Sequence, residues 1–89
     1  MATLFVRHTV ADYTAWRKIY DEFKATRTSM GVTSDGVYQA TDNPNDVTIY
    51  HEFATTEAAQ ALIQSAELRD AMGRAGVVGQ PDIWITQRT

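Results

Sequence analysis

Apolar positions along this chain switch between alternating spacing and a three-to-four spacing, and the switches mark out its elements. From Thr3 to Val10 one set of alternate positions holds Leu4, Val6, His8 and Val10, and the other holds Thr3, Phe5, Arg7 and Thr9. This predicts a strand with no plainly wet face. Asp12 then offers an N-cap carboxylate, and Tyr13, Trp16, Tyr20, Phe23 and Met30 form the stripe of a helix lying on a sheet. Arg17, Lys18, Asp21, Glu22 and Lys24 fill the opposite side, and Gly31 predicts a left-handed cap that ends the helix near Met30. A second strand is expected from Gly36 to Ala40, a polar turn from Asp42 to Asp46, and a returning strand from Val47 to Phe53. Thr55 or Thr56 can cap a helix carrying Ala58, Ala59, Leu62, Ile63 and Ala66, and Ser65 can cap a shorter one carrying Leu68 and Met72. Gly73, Gly76 and Gly79 lack phosphate-loop spacing and read as a flexible connector to a closing strand from Ile83 to Thr86.

The order strand, helix, strand, strand, helix, strand is the split β-α-β pattern of a ferredoxin-like α+β fold, a four-stranded antiparallel sheet with two helical regions on one face. Parity then sorts the side chains. If Val6 and Ile49 face the helices, so do His8, Gln39 and His51, while Phe5, Tyr38, Tyr50 and Trp84 point from the opposite face. Helices on one side cannot cover those aromatics, so a homodimer through that second face is expected.

Composition narrows the function classes. The 89 residues fit one domain, 1–89, and a chain of this size buries only about 60 to 65% of its unfolded surface, so pairing would add materially to its stability. Eight basic residues against eleven acidic ones give a net charge of −3 with no basic stripe, which argues against nucleic acid. There is no cysteine, hence no thiol nucleophile or disulfide. The opening MATLFVRHTV lacks the layout of an export signal, and no apolar run approaches the roughly 18 residues of a membrane span. A cytoplasmic protein without a membrane partner is the expectation.

Val6-Arg7-His8 followed by Asp12-Tyr13 and Trp16, the turn from Asp42 to Asn45, and the tail Leu68 to Met72 with Arg74 to Val77 and Gly79 to Pro81 resemble small bacterial proteins of the dimeric α/β-barrel superfamily. The antibiotic biosynthesis monooxygenase-like proteins are the nearest of these. The resemblance implies a ferredoxin-like subunit whose sheet closes into a barrel with that of its twin, and a small-molecule pocket between the sheet and helices of each subunit. For chemistry it is broad, because the superfamily holds cofactor-free monooxygenases, haem-degrading enzymes, lactone isomerases and members with no assigned activity.

That implied pocket directs attention to the helix-facing polar residues. His8 is the candidate base, close to the hydroxyl of Tyr13 or Tyr20 and taking a proton from a phenolic or enolic substrate, with Tyr20 as the second catalytic candidate; Tyr13, Trp16, Gln39 and His51 are the candidate substrate-binding residues. Each has a plainer reading, as a hydrogen-bonded core histidine or as helical-stripe packing. The two histidines should be staggered by two or three positions, roughly 7 to 10 Å, too far apart to share a metal ion. Haem-degrading relatives carry a first-strand asparagine and a tryptophan and histidine around the second helical region; here the first-strand position holds His8, and Thr56 to Gly76 contains neither residue. No cofactor or metal is expected. Two readings stay open: a cofactor-free monooxygenase-like or isomerase-like enzyme for a small aromatic or polyketide-like molecule, and a dimeric ligand-binding or accessory protein that transforms nothing.

Overall fold

The computed structural model describes residues 1–89, in which eight elements follow one another as β1 (Ala2–Val10), α1 (Tyr13–Glu22), α2 (Lys24–Ser29), β2 (Ser34–Ala40), β3 (Asn43–Phe53), α3 (Thr56–Gln64), α4 (Ala66–Arg74) and β4 (Val77–Gln87). The strands form one antiparallel sheet in the order β2-β3-β1-β4, with the helices on one face, which is the ferredoxin-like α+β arrangement. Leu4, Val6 and Val10 of β1 and Val47, Ile49 and Phe53 of β3 alternate into the helix-side layer and are buried against Trp16, Tyr20, Leu62 and Ala71. No helix is long and apolar enough to cross a membrane.

The first helical stretch is broken rather than continuous to Met30. At Phe23 the amide donates to both the Ile19 carbonyl (3.1 Å) and the Tyr20 carbonyl (3.2 Å), and the Arg27 guanidinium also donates to the Tyr20 carbonyl. The shared acceptor shifts the hydrogen-bond ladder and separates α1 from α2. Beyond the break, Gly31 (φ 101°) closes α2 in a Schellman motif, with the Val32 amide on the Arg27 carbonyl and the Gly31 amide on that of Thr28, both at 3.1 Å.

Two segments expected as turn and connector are strand. The turn after β2 is only Thr41 and Asp42, and Asn43 to Asp46 form the irregular start of β3, where pairing jumps from Gln39↔Val47 to Ala40↔Asn43. That irregularity lets the Asn45 side-chain carbonyl accept the Tyr13 amide at 3.0 Å, tying the hairpin tip to the start of α1 beside the Asp12 N-cap. Similarly, β4 begins at Val77, and its pairing with β1 jumps from Arg7↔Asp82 to Thr9↔Val78. Gly79 (φ 72°), Gln80 and Pro81 therefore bulge opposite His8. Ser65 ends α3 and begins α4, its hydroxyl donating to the Leu62 carbonyl (2.7 Å) and accepting from the Leu68 amide (3.1 Å).

On the face away from the helices, Phe5 stacks on Trp84 at 5.6 Å between ring centroids and Tyr38 on Tyr50 at 6.3 Å. The Tyr50 ring lies flat over Gly36, its cross-strand partner, so closely that a Cβ at Gly36 would meet Cε2 of that ring at 2.2 Å. Gly36→Ala is expected to destabilise the fold by about 1–3 kcal/mol by displacing the ring. Urea unfolding checks this: the loss should shrink in a Tyr50→Ala background, and an unchanged midpoint for the single variant would refute the close approach.

Candidate functional site

The central strands place the two histidines. Strand alternation turns both toward the helices, and the β1–β3 pairing sets Leu4 opposite His51 and His8 opposite Val47. They are thus four positions apart along β1, about 14 Å at 3.4 Å per residue. That is further than the stagger expected from sequence, because β3 starts its pairing at Asp46 and carries His51 toward the start of β1. No three His, Asp or Glu side chains come together as a metal-binding group.

His51 belongs to a buried network. Its Nε2 lies 3.0 Å from the hydroxyl of Tyr20, the two rings are nearly parallel, and the same hydroxyl donates to Asp35 Oδ2 at 2.6 Å. Arg27, only 4% exposed, holds its guanidinium 3.8 Å over the Tyr20 ring and 3.7 Å from Asp35 Oδ2. The network therefore joins α1, α2, β2 and β3. Burial, aided by the Arg27 charge and opposed by Asp35, lowers the His51 pKa to about 4. Burial first, and the hydrogen bond to Asp35 second, push the Tyr20 phenol well above its ordinary value. Both groups are held neutral near pH 7.

His8 has no such partners. Its ring meets the edge of Trp16 at 5.6 Å, burial lowers its pKa, and neither ring nitrogen has a hydrogen-bond partner. His51 Nδ1 is unpartnered as well. Three buried ring nitrogens thus have no protein hydrogen-bond partner, and both histidines line one space.

That space is a cavity of about 50 Å³ between the sheet and the helices. His8, Trp16, Tyr20, Arg27 and His51 line it, and the remaining walls are apolar, including Leu4, Ile49, Leu62 and Ala71. It has room for a few waters. Ile63, Leu68, Met72 and Ile83 also floor an open groove on the outside, so a single layer of partly buried side chains separates the cavity from solvent.

Of the sequence candidates, His8, Trp16, Tyr20 and His51 meet at this cavity, but the hydroxyl of Tyr20 pairs with His51 rather than His8. Tyr13 stays outside it at the start of α1, 5.8 Å from the Trp16 ring. Gln39 is exposed near the hairpin tip, donating to the Pro44 carbonyl at 3.2 Å, because its strand is at the sheet edge beyond the helices' cover. Arg27 and Asp35 were missed. Arg27 sits where the stripe Trp16, Tyr20, Phe23 continues, and a cation at such a position was the available signal; Asp35 shares the parity of Val37 and His51.

No protein-family model matches the sequence, and no curated protein matches it. Solved structures do match in fold over almost the whole chain. SnoaB, a cofactor-independent oxygenase from Streptomyces nogalater, is 12% identical with a TM-score of 0.76, covering 99% of this chain and 94% of its own. A provisionally named antibiotic biosynthesis monooxygenase from Bordetella bronchiseptica is 11% identical with a TM-score of 0.84, over 99% and 96%. A conserved protein from Methanosarcina mazei Go1 is 16% identical with a TM-score of 0.69, over 99% and 92%. At these identities the likeness is one of fold.

The buried imidazoles tie stability to pH. His51 takes up a proton near pH 6.5 when unfolded but only near pH 4 when folded, so its contribution is complete above pH 6.5 and is lost as the pH falls toward 4. The loss amounts to about 3 kcal/mol, and His8 acts in the same direction. The depressed Asp46 carboxyl contributes fully above its ordinary value of 3.8 and loses that contribution only below it, outside that window. Urea unfolding at pH 7 and pH 4.5 should show most of this drop, and His51→Gln should flatten it; an unchanged slope in the variant would contradict the assignment.

Proposed function

We propose that this chain is a cofactor-independent enzyme, monooxygenase-like or isomerase-like, acting on a small aromatic or polyketide-like molecule in the helix-side cavity. The observation that carries the reading is the set of unpartnered nitrogens on His8 and His51. These nitrogens are not tied to any protein group, so they are free to accept from a phenol or enol that enters the apolar space and to take its proton as the anion forms beside Arg27. The resulting anion is electron-rich enough to react with oxygen directly. With a free ring C–H, a phenol consumes one molecule of O₂: one oxygen atom enters as a quinone carbonyl and the other leaves as water, all the electrons coming from the substrate. The fold shared with a cofactor-independent oxygenase supports the reading.

Substrate entry displaces the thin wall of Ile63, Leu68 and Met72, since a cavity of about 50 Å³ does not hold an aromatic ring as it stands. That tightness is also what favours the second reading, a ligand-binding or accessory protein without turnover. Oxygen uptake with a panel of phenols and quinols separates the two. The unaltered protein should consume oxygen with at least one of them, and the His8→Ala/His51→Ala double variant should lose at least about 100-fold of that rate. Isomerisation under anaerobic conditions would select the isomerase form, and binding of panel members without turnover would select the accessory role.

The aromatic face completes the proposal. Tyr38 is 61% and Trp84 46% exposed, and Phe5 and Tyr50 are half-buried between them. Fully covering side chains of this kind is worth roughly 1.5 to 3 kcal/mol each, so two copies meeting sheet to sheet gain substantially. Sedimentation at micromolar concentration should give a homodimer, and Trp84→Glu should shift it to monomer. A folded monomer in the unaltered protein would overturn the dimeric barrel.

A further inference from the structure

The Tyr20 hydroxyl has one proton and two neighbours. Asp35 Oδ2 lies 2.6 Å away and His51 Nε2 3.0 Å away. A carboxylate beside the Arg27 guanidinium can only accept, so the phenolic proton goes to Asp35. Pointing that proton at His51 instead would leave two oxygens at 2.6 Å facing each other through lone pairs. With its proton committed, the Tyr20 oxygen is an acceptor, and Nε2 of His51 has to be the N–H that donates to it. A neutral imidazole protonated on Nε2 carries a bare lone pair on Nδ1, which is the nitrogen left without a partner.

We propose that Asp35 and Tyr20 are positioning residues that lock His51 in its Nε2–H tautomer, making Nδ1 of His51 the proton acceptor of the cavity. The inference deepens the enzymatic reading and takes its chemistry from it, but the tautomer is readable without turnover. His8 offers the contrast within the same molecule, because with neither nitrogen bonded nothing selects one of its tautomers. Arg27 adds the second half of the assignment. Its buried charge stands over Tyr20 and lines the same cavity, so a substrate that enters as a neutral phenol or enol and becomes an anion on giving its proton to Nδ1 meets a fixed positive charge nearby. The substrate class is accordingly a weak organic acid that is uncharged at neutral pH.

Long-range ¹H–¹⁵N correlation spectra at pH 7 test the lock. His51 should show a pyrrole-type Nε2 and a pyridine-type Nδ1, while both nitrogens of His8 should give intermediate, averaged signals. In Tyr20→Phe and Asp35→Ala, the His51 pattern should move toward a mixture or toward Nδ1–H, with the His8 signals unchanged as evidence that the fold persists. If either variant fails to fold, the unaltered protein's spectrum still decides. An Nδ1–H or averaged His51 in the unaltered protein, or a pattern indifferent to both variants, overturns the proposal. The expected tautomer with no turnover on any substrate would sink the enzymatic reading while leaving the lock in place.

Discussion

The pairing of β1 with β3 is the constraint on which everything else in this molecule depends. Its cross-strand partners run without a break from Ala2↔Phe53 to Thr9↔Asp46. A slip of one residue would send His8 or His51 to the aromatic face and bring Phe5 or Tyr50 under the helices. The hydrophobic pattern enforces the observed register, because Leu4, Val6, Val47, Ile49 and Phe53 are all nearly inaccessible only in this alignment. The forked contact of Arg7 with Asp46, at 3.1 and 2.7 Å, marks the end of the pairing but, being exposed, contributes specificity of alignment more than energy.

Around that pair the protein keeps a cation and two imidazoles in a layer otherwise built from aliphatic and aromatic groups. Arg27 is tolerated there because its charge is divided among a ring face, a backbone carbonyl and a partly exposed carboxylate at 3.7 Å. The same charge helps to keep His51 neutral. The break between α1 and α2 is part of this arrangement: at it the Tyr20 carbonyl accepts from both the Phe23 amide and the Arg27 guanidinium.

Periodicity revealed the order of elements and the face on which each strand residue lies, and capping chemistry revealed the Ser65 junction and the left-handed Gly31. These follow from rules that act over a few residues, so a few residues suffice to read them. Boundaries in the polar segments did not follow. Asp42 to Asp46 and Gly79 to Pro81 have turn-forming composition, but neighbouring strands draw them into the sheet as irregularities, a tertiary effect invisible in local propensity. The site was half legible for a related reason. Parity places His51 under the helices, but which helical turn lies above it depends on how α1 is anchored by Asn45, so Tyr20 was matched with the wrong histidine.

The irregular stretch of β4 has a further effect, on behaviour in concentrated solution. β4 is an outer strand of the sheet, and its free side would otherwise offer eleven residues as a template for another chain. Pro81 removes an amide donor, and the left-handed Gly79 breaks the line of the backbone, dividing that rim into two short runs. Open-ended strand addition along the rim is thereby discouraged, whatever the concentration of the protein.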